Sequence, residues 1–365
     1  MANMNIRTPV FYPDRIRHLR TRGATSDSVG ASQVIKTGTG FINFQTGSIG
    51  SLHNGKPLDL CSFDTSGDTD GHVLFKYNMG TGNWRTTFFT ILNHNLVSCE
   101  GKIRIWFGDA SSDIEGQTEA DDVLGSVNST EVLNAGTVEI GGNKSVHVHP
   151  TADGTTIVKI VNTSDSSDFT GQQYMAVQFE GNASNGGNHT GNFHFNGSTD
   201  LTVGGIEIGE IYTMPVAPDL NVKRSIIYDS TTIQKSLGGQ KYANISSFGR
   251  TASSTSKSPF NTTADFKKPM SGRISYDMSF SYLQSTDVMP DEYGQIQFTD
   301  DSFVGDVWSI TEGNLHPFVF SIDSTSIGSN AESEFIYARF AQNSLTMDQV
   351  APDVFNIKFK IEEEF

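Results

Sequence analysis

The most constraining feature of the sequence is a long series of short apolar segments separated by turns rich in Gly, Asn, Ser and Thr. Between residues 34 and 213 these segments follow one another without a helical period. In residues 102–107, strict alternation places Ile103 and Ile105 on one face of a strand. The 36 glycines suit many tight turns, and the 25 phenylalanines supply apolar area for thin cores. We therefore predict an all-β fold.

The predicted architecture is an N-terminal β-sandwich or jelly roll followed by a second β-rich, barrel-like or sandwich-like domain with one short helix. The helix should carry an apolar stripe from Phe303 to Trp308 and be capped by Asp300 or Asp301. In the second domain, Met278, Phe280 and Tyr282 are predicted to share one face of a strand, as are Ile357, Phe359 and Ile361.

Composition predicts the domain boundaries. Two prolines three residues apart cannot continue a β-ladder and indicate a linker. Ser and Thr dominate one later stretch, which is expected to be an extended loop that orders against a partner. The predicted parts are a basic N-terminal arm (1–30), the jelly-roll domain (31–213), the linker (214–220), and a β-rich assembly domain (221–365) with the extended loop at 249–263.

Charge is distributed unevenly along the chain. The net charge of −16 argues against nucleic acid as the main partner, because phosphate contacts require a basic surface. Basic residues concentrate near the N-terminus and after the linker, which favours subunits that meet basic surface to acidic surface; ordinary solvated surface is the alternative. The candidate interface residues are Arg15, Arg17, Arg20, Lys223, Arg224, Lys235, Arg250, Lys257, Lys267 and Lys268.

Motifs for catalysis are weak. Residues 50–57 have the spacing of a phosphate-binding loop, but Pro57 replaces the required Ser or Thr and a strand is predicted to follow, so a turn is favoured. Glu207, Glu210 and Asp219 are close in sequence and could form a carboxylate pair for sugar hydrolysis, but any β protein offers such sets. We therefore predict that the chain is not an enzyme.

Candidate ligand sites are also few. His147 and His149 alternate on a strand and could share a metal, although exposed sheet-face histidines are the simpler interpretation. The acidic loop between residues 109 and 122 could gather Ca²⁺; otherwise no cofactor is predicted. Trp84, Trp106 and Trp308 could stack on sugars, but core packing is favoured. A possible glycan-facing loop contains Asn185, Asn188, His189 and Asn192.

The two cysteines, Cys61 and Cys99, could form one disulfide, but buried free thiols are favoured. The N-terminal residues lack the apolar region of a signal peptide, and no apolar stretch is long enough to cross a bilayer. A chain that is made in a cytoplasm and works in an assembly is expected.

Two groups of segments resemble known families. Residues 88–96, 174–179 and 204–212 resemble the core strands of a galactose-binding-like (discoidin-type) jelly roll. Residues 217–229, 236–251, 273–283, 316–323 and 351–365 resemble the C-terminal regions of tailed-phage virion proteins, including tail-tip, baseplate and distal-tail-type ring subunits. Typical distal tail proteins place the ring-forming barrel first, whereas here the jelly roll is predicted first.

The resemblance implies a structural virion protein of the tail or baseplate, located in the phage particle, that binds copies of itself and other virion proteins in a symmetric ring and links or presents host-attachment parts. Three alternatives stay open at this point. They are a carbohydrate-binding host-recognition or fibre-anchoring module that binds host surface glycans, a head-surface protein, and a polysaccharide-degrading enzyme.

Overall fold

The computed structural model describes most of the chain. The described residues are 7–23, 32–38, 40–66, 71–78, 86–108, 114, 127–128, 137–140, 146–162, 174–181, 183–184, 193–195, 199–227, 231–245, 273–290, 301–325 and 335–364.

Strands dominate these residues, so the all-β prediction is confirmed. The helical elements are α1 (Arg15–Thr21), α2 (Ile49–Leu52), α3 (Ser285–Val288) and a π-helix (Phe303–Trp308). The strands are β1 (Val10–Pro13), β2 (Ser32–Ile35), β3 (Phe44–Thr46), β4 (Cys61–Phe63), β5 (Val73–Asn78), β6 (Phe88–His94), β7 (Gly101–Gly108), β8 (Val127–Asn128), β9 (Thr137–Ile140), β10 (Val146–Val148), β11 (Gly154–Asn162), β12 (Tyr174–Gly181), β13 (Ala183–Ser184), β14 (Phe193–His194), β15 (Leu201–Val203), β16 (Gly205–Gly209), β17 (Tyr212–Thr213), β18 (Lys223–Ile227), β19 (Thr231–Lys235), β20 (Lys241–Ile245), β21 (Arg273–Gln284), β22 (Phe318–Ser321), β23 (Phe335–Phe340), β24 (Thr346–Ala351) and β25 (Val354–Glu363).

The first β-body is a sandwich of two five-stranded sheets with orders β10-β7-β12-β5-β2 and β16-β6-β11-β9-β8. Alternation turns every second side chain of each strand inward. Ile103 and Ile105 of β7 are both fully buried in the core between the sheets, as the sequence predicts. Cys61 and Cys99 lie in the same core as free thiols.

The second β-body is built on an eight-stranded sheet with the order β17-β1-β22-β23-β25-β21-β18, in which β24 pairs with β25. Ile357, Phe359 and Ile361 of β25 all face its core, as predicted. Met278 and Phe280 do so as well, but Tyr282 does not. A register shift between Phe280 and Leu283 breaks the alternation, so Tyr282 adopts a positive φ of 62° and is 77% exposed.

The predicted helix of the second body is present as the π-helix. Its apolar side chains are packed in the second core. The cap is Ser302 rather than Asp300 or Asp301: its Oγ accepts a hydrogen bond from the Gly305 N–H at 3.1 Å, and its own N–H donates to Asp306 Oδ2 at 2.9 Å. The N-cap is thus one position later than the nearer of the two predicted aspartates, and it is a serine, which caps helices as well as an aspartate does.

The N-terminal segment differs from the predicted arm. Strand β1 lies inside the eight-stranded sheet, between β17 and β22, with Phe11 opposite both Tyr212 and Phe320. Successive side chains of β1 point to opposite faces of the sheet, so Phe11 packs in the second core whereas Val10 and Tyr12 pack in a third. Residues 10–13 and 212–213 therefore belong to the second body, although the sequence assigned them to an arm and to the jelly roll.

The third core joins the two bodies. It contains Phe88, Leu92 and Ile157 from the outer face of one sandwich sheet, and Val319 and Tyr337 from the eight-stranded sheet. Both bodies share this apolar contact, so the Pro-containing segment 214–220 connects two packed bodies instead of separating independent domains. Along it, Pro215, Val216 and Ala217 are exposed.

Close packing at Gly209 holds the N-terminal segment on the first body. A Cβ at this glycine would lie 2.3 Å from the Pro13 carbonyl oxygen and 3.1 Å from the Phe88 ring. We expect Gly209→Ala to lower the free energy of unfolding by about 1–3 kcal/mol, because the backbone must shift to admit the methyl group. Urea denaturation measures the change. Gly238→Ala is the matched control, since the nearest atom to its Cβ would be 3.9 Å away; equal stability of the two variants would contradict the packing.

Candidate assembly surface

A β-hairpin formed by β19 and β20 projects from the second body. The strands pair from Thr231 opposite Ile245 to Lys235 opposite Lys241. The turn is closed by two hydrogen bonds of 2.9 Å, in which the Ser236 N–H donates to the Gln240 carbonyl and the Gly239 N–H donates to the Ser236 carbonyl. Among the residues that the structure describes, neither strand pairs with a strand outside the hairpin.

The hairpin exposes large apolar side chains to solvent. Ile233 is 64% exposed, Tyr242 is 55% exposed, and Leu237 at the tip is fully exposed. An isolated two-stranded hairpin is marginally stable in water, and clustered exposed apolar residues mark interaction sites. The hairpin has the properties of an element that is stabilised by packing on another surface.

The strand that leads to the hairpin is also open. Strand β18 is the last strand of the eight-stranded sheet, and within the described chain its outer edge has no partner strand. Ile226 is 56% exposed and Ile227 is 37% exposed on this strand. Edge strands of this kind offer backbone N–H and C=O groups to a further chain. We name residues 223–227 and 231–245 together the projecting β-segment.

The projecting β-segment is basic. It carries Lys223, Arg224, Lys235 and Lys241 and contains no Asp or Glu. The three lysines are exposed, while the Arg224 guanidinium lies 5.7 Å from the centre of the Tyr276 ring. In a chain with a net charge of −16, this surface has the opposite sign to the whole. The predicted interface residues Lys223 and Lys235 thus lie on one exposed element.

Arg15 and Arg17, which the sequence assigned to the same interface, are buried inside the chain. Arg17 Nη2 donates to Glu207 Oε1 at 3.0 Å, and Arg15 lies 3.8 Å from Glu210. Both arginines are held by carboxylates of the first body, so they are not available to a neighbouring subunit. Arg20, one turn later on α1, is half-buried.

The buried arginines occupy the junction between the two bodies. Arg17 also donates to the His53 carbonyl at 3.2 Å and to the Pro317 carbonyl at 3.0 Å, and it lies 3.4 Å from Asp14. Burial raises the pKa of Glu207 to about 8 and also raises the pKa of Asp14, while the charge of Arg17 opposes both shifts. This arrangement fixes the N-terminal segment between the bodies.

The three carboxylates that could have formed a hydrolytic pair are used in different places. Glu207 and Glu210 face the arginines of α1. Asp219 accepts hydrogen bonds from the hydroxyls of Ser279 and Ser281 on β21, both at 2.9 Å. Each therefore has a structural role in the fold.

His147 lies in a polar cluster on the outer face of a sandwich sheet. Glu180 lies at the centre of the cluster. Its carboxylate accepts hydrogen bonds from Arg104 at 3.1 Å and from Gln178 at 2.9 Å. It also lies 3.2 Å from Lys102 Nζ and 3.1 Å from His147 Nε2. Burial raises the pKa of Glu180, but the hydrogen bond from His147 and the charges of Arg104 and Lys102 outweigh it and hold the pKa well below its usual range.

His149 is exposed, and the centre of its ring lies 6.3 Å from that of His147. In the described part of the chain, no group of three or more His, Cys, Asp or Glu has an arrangement that could hold a metal ion.

The tryptophans that the structure describes pack in cores. Trp106 is 1% exposed and contacts Leu74 and Ala176 in a small cluster. The Trp308 ring lies 4.9 Å from the Phe340 ring. Core packing, the favoured interpretation of these aromatics, is confirmed for the two; Trp84 lies outside the described residues.

Several predicted site residues lie outside the described residues. They are Arg250, Lys257, Lys267 and Lys268 of the candidate interface, the extended loop 249–263, the glycan-facing candidates Asn185, Asn188, His189 and Asn192, and all of the acidic loop 109–122 except Ile114.

Sequence reasoning missed the apolar side chains of the hairpin. It registered the basic residues of this region but not Ile233, Leu237 and Tyr242 as surface residues. A signal was present at Leu237, because a leucine followed by two glycines in a turn has few neighbours on which to pack.

Comparisons of the chain with protein-family models, with curated proteins and with solved structures found no match in any of the three. The resemblance to tailed-phage virion proteins therefore stays a prediction. Of the helices that the structure describes, none has the length and apolar character needed to span a membrane.

Proposed function

We propose that the chain is a structural subunit of a multisubunit particle, specifically the tail or baseplate of a tailed phage, and that neighbouring subunits hold it by the projecting β-segment. The observation that carries this proposal is the hairpin of β19 and β20, whose apolar side chains are exposed although a hairpin of this size is marginally stable alone. Burying them against a neighbour stabilises both the hairpin and the assembly.

The chemistry of the segment favours a protein neighbour. Exposed Ile, Leu and Tyr side chains supply apolar area, and the three lysines select an acidic surface and exclude a basic one. The outer edge of β18, which has no partner strand among the described residues, adds backbone groups that can extend a sheet into the next subunit. The phage assignment itself rests on the segments that resemble virion proteins.

The test removes the apolar contacts and leaves the fold in place. We expect the triple variant Ile233→Thr, Leu237→Ser, Tyr242→Ser to weaken self-association at least about a hundredfold, since each buried apolar side chain contributes about 1.5–3 kcal/mol. Sedimentation velocity over a concentration series measures the association, and thermal unfolding checks the fold.

The matched control is the triple variant Val97→Ser, Val216→Thr, Val350→Thr, which alters exposed apolar residues outside the segment. It should associate like the unmodified chain. An unmodified chain that stays monomeric at every concentration, or equal weakening by both triple variants, would contradict the proposal.

A further inference from the structure

Tyr282 lies in a bulge of strand β21. Two residues, Ser281 and Tyr282, lie there opposite the single residue Asn356 of β25. Tyr282 has a φ of 62° and is 77% exposed. A positive φ is strained for a bulky side chain, whereas Asn adopts it more readily. The bulge thus holds an aromatic ring outside the core at a cost in stability, which is typical of functional sites.

Polar side chains flank Tyr282 on the outer face of the sheet. Asp348 of β24 pairs with Asn356 of β25, and both point away from the second core because their neighbours Met347 and Ile357 pack in it. Asn356 Oδ1 accepts a hydrogen bond from the Tyr282 N–H at 3.0 Å. The three residues therefore form one row across β24, β25 and β21. With about 4.8 Å between neighbouring strands, the row is about 10 Å long.

The row offers a hydrogen-bond donor and an acceptor to a ligand. Because the Tyr282 N–H occupies Asn356 Oδ1, the amide NH2 of Asn356 is the group left to donate. Asp348 is exposed, and its carboxylate has no ion pair or hydrogen bond within the described residues. A ligand with hydroxyl groups can use both, since a hydroxyl donates and accepts.

The charge around the row disfavours anions. Asp348 lies at one end, and beyond the other end Asp219 accepts a hydrogen bond from the Ser281 hydroxyl at 2.9 Å. Lys358, the next outward-facing residue of β25, lies 3.4 Å from Asp277 and is paired with it. A phosphate, a sulfate or a sugar acid would therefore meet carboxylates of like charge.

We infer that the row of Asp348, Asn356 and Tyr282 binds an uncharged oligosaccharide. The C–H face of a sugar ring packs on the Tyr282 ring, and hydroxyls at the edge of the sugar donate to Asp348 and accept from the Asn356 amide. A row about 10 Å long suits a short oligosaccharide. The inference goes beyond the proposed function, because the row contains no residue of the projecting β-segment.

A glycan array that carries uncharged and anionic oligosaccharides tests the inference, with the unmodified chain as the probe. We expect binding to uncharged oligosaccharides and none to anionic ones. NMR titration with the strongest uncharged binder then gives the dissociation constant. Tyr282→Asn should weaken this binding at least about tenfold because the stacking surface is lost, whereas Tyr282→Phe, which keeps the ring, should bind within about threefold of the unmodified chain.

Thermal unfolding separates binding from folding. Tyr282→Asn should unfold at the same temperature as the unmodified chain or higher, since Asn adopts the positive φ with less strain. Leu60→Asn is the matched control, because it replaces a side chain that is 45% exposed outside the row; it should bind sugar like the unmodified chain. A Tyr282→Asn chain that loses stability together with binding would show a structural role and overturn the inference.

The remaining outcomes decide the occupant. Absence of binding to every uncharged oligosaccharide, a preference for anionic ones, or unchanged binding by Tyr282→Asn would overturn the inference. Val350, two residues after Asp348, is 47% exposed, so a protein neighbour is the competing occupant. If Tyr282→Asn weakened self-association and not sugar binding, the row would be a contact between copies. Sugar binding by a chain that stays monomeric would overturn the proposed function and leave this inference standing.

Discussion

Replacing Phe11 by alanine is expected to lower the free energy of unfolding by about 3–5 kcal/mol, the cost of removing a large buried aromatic side chain. Phe11 is fully buried, and its ring contacts six other rings at centroid distances of 5.1–6.4 Å. These rings come from β17, β22, β23, β25 and the π-helix, so the cavity would lie at the centre of the second core. Urea denaturation followed by fluorescence measures the loss.

The result decides whether residues 1–30 are a detachable arm. Thr213→Ala is the control, because Thr213 is exposed at the end of β17, opposite Val10; we expect a change within about 0.5 kcal/mol. If Phe11→Ala cost as little as this control, β1 would not belong to the second core.

Replacing Arg17 by methionine is expected to lower the free energy of unfolding by about 3–5 kcal/mol at pH 8, because Asp14 and Glu207 would be left buried without their cation. The loss should be smaller at pH 5. A buried carboxyl whose folded pKa lies above its unfolded value stabilises the fold at low pH, and that stability is lost as the pH rises through the folded pKa. Burial already raises the pKa of Glu207 to about 8, and removing Arg17 raises it further.

Chemical denaturation at pH 5, 7 and 8 tests this expectation. The double variant Arg17→Met, Glu207→Gln should recover part of the loss at pH 8, since it removes one of the two acids. Arg22→Met is the matched control, because the Arg22 side chain is 61% exposed in its pair with Glu312 and such pairs contribute little. A loss that does not depend on pH would mean that Arg17 acts through packing alone.

Features that depend on neighbouring residues in the chain were predicted well. The alternation of Ile103 with Ile105 and of Ile357 with Phe359 follows from the two-residue period of a strand, so the sequence alone predicts which side chains face the core. The position of Tyr282 was predicted wrongly, because a single bulge moves every later side chain of the strand to the opposite face. No residue in the segment indicates the bulge from the sequence.

Features that depend on distant parts of the chain could not be predicted. Residues 10–13 are four apolar positions at the start of a basic segment, and only their pairing with β17 and β22, some 200 and 300 residues later, makes them a core strand. Arg17 was likewise predicted to be exposed, because its buried partner Glu207 is 190 residues away in the sequence.

The candidate site was visible in part. Its basic character can be read from the composition of residues 223–241, because charge needs no knowledge of the fold. The projection of the hairpin cannot be read from composition, because the exposure of Ile233 and Tyr242 depends on how the hairpin pairs with the rest of the described chain. The apolar component of the surface therefore required the structure.

Hydrogen exchange of residues 231–245 is the most direct measurement of whether neighbours hold this chain by its hairpin. If neighbours hold the chain in this way, we expect fast exchange in the dissociated chain, where within the described residues each strand pairs only with the other, and much slower exchange in the assembled particle. Fast exchange of these amides in both states would contradict it.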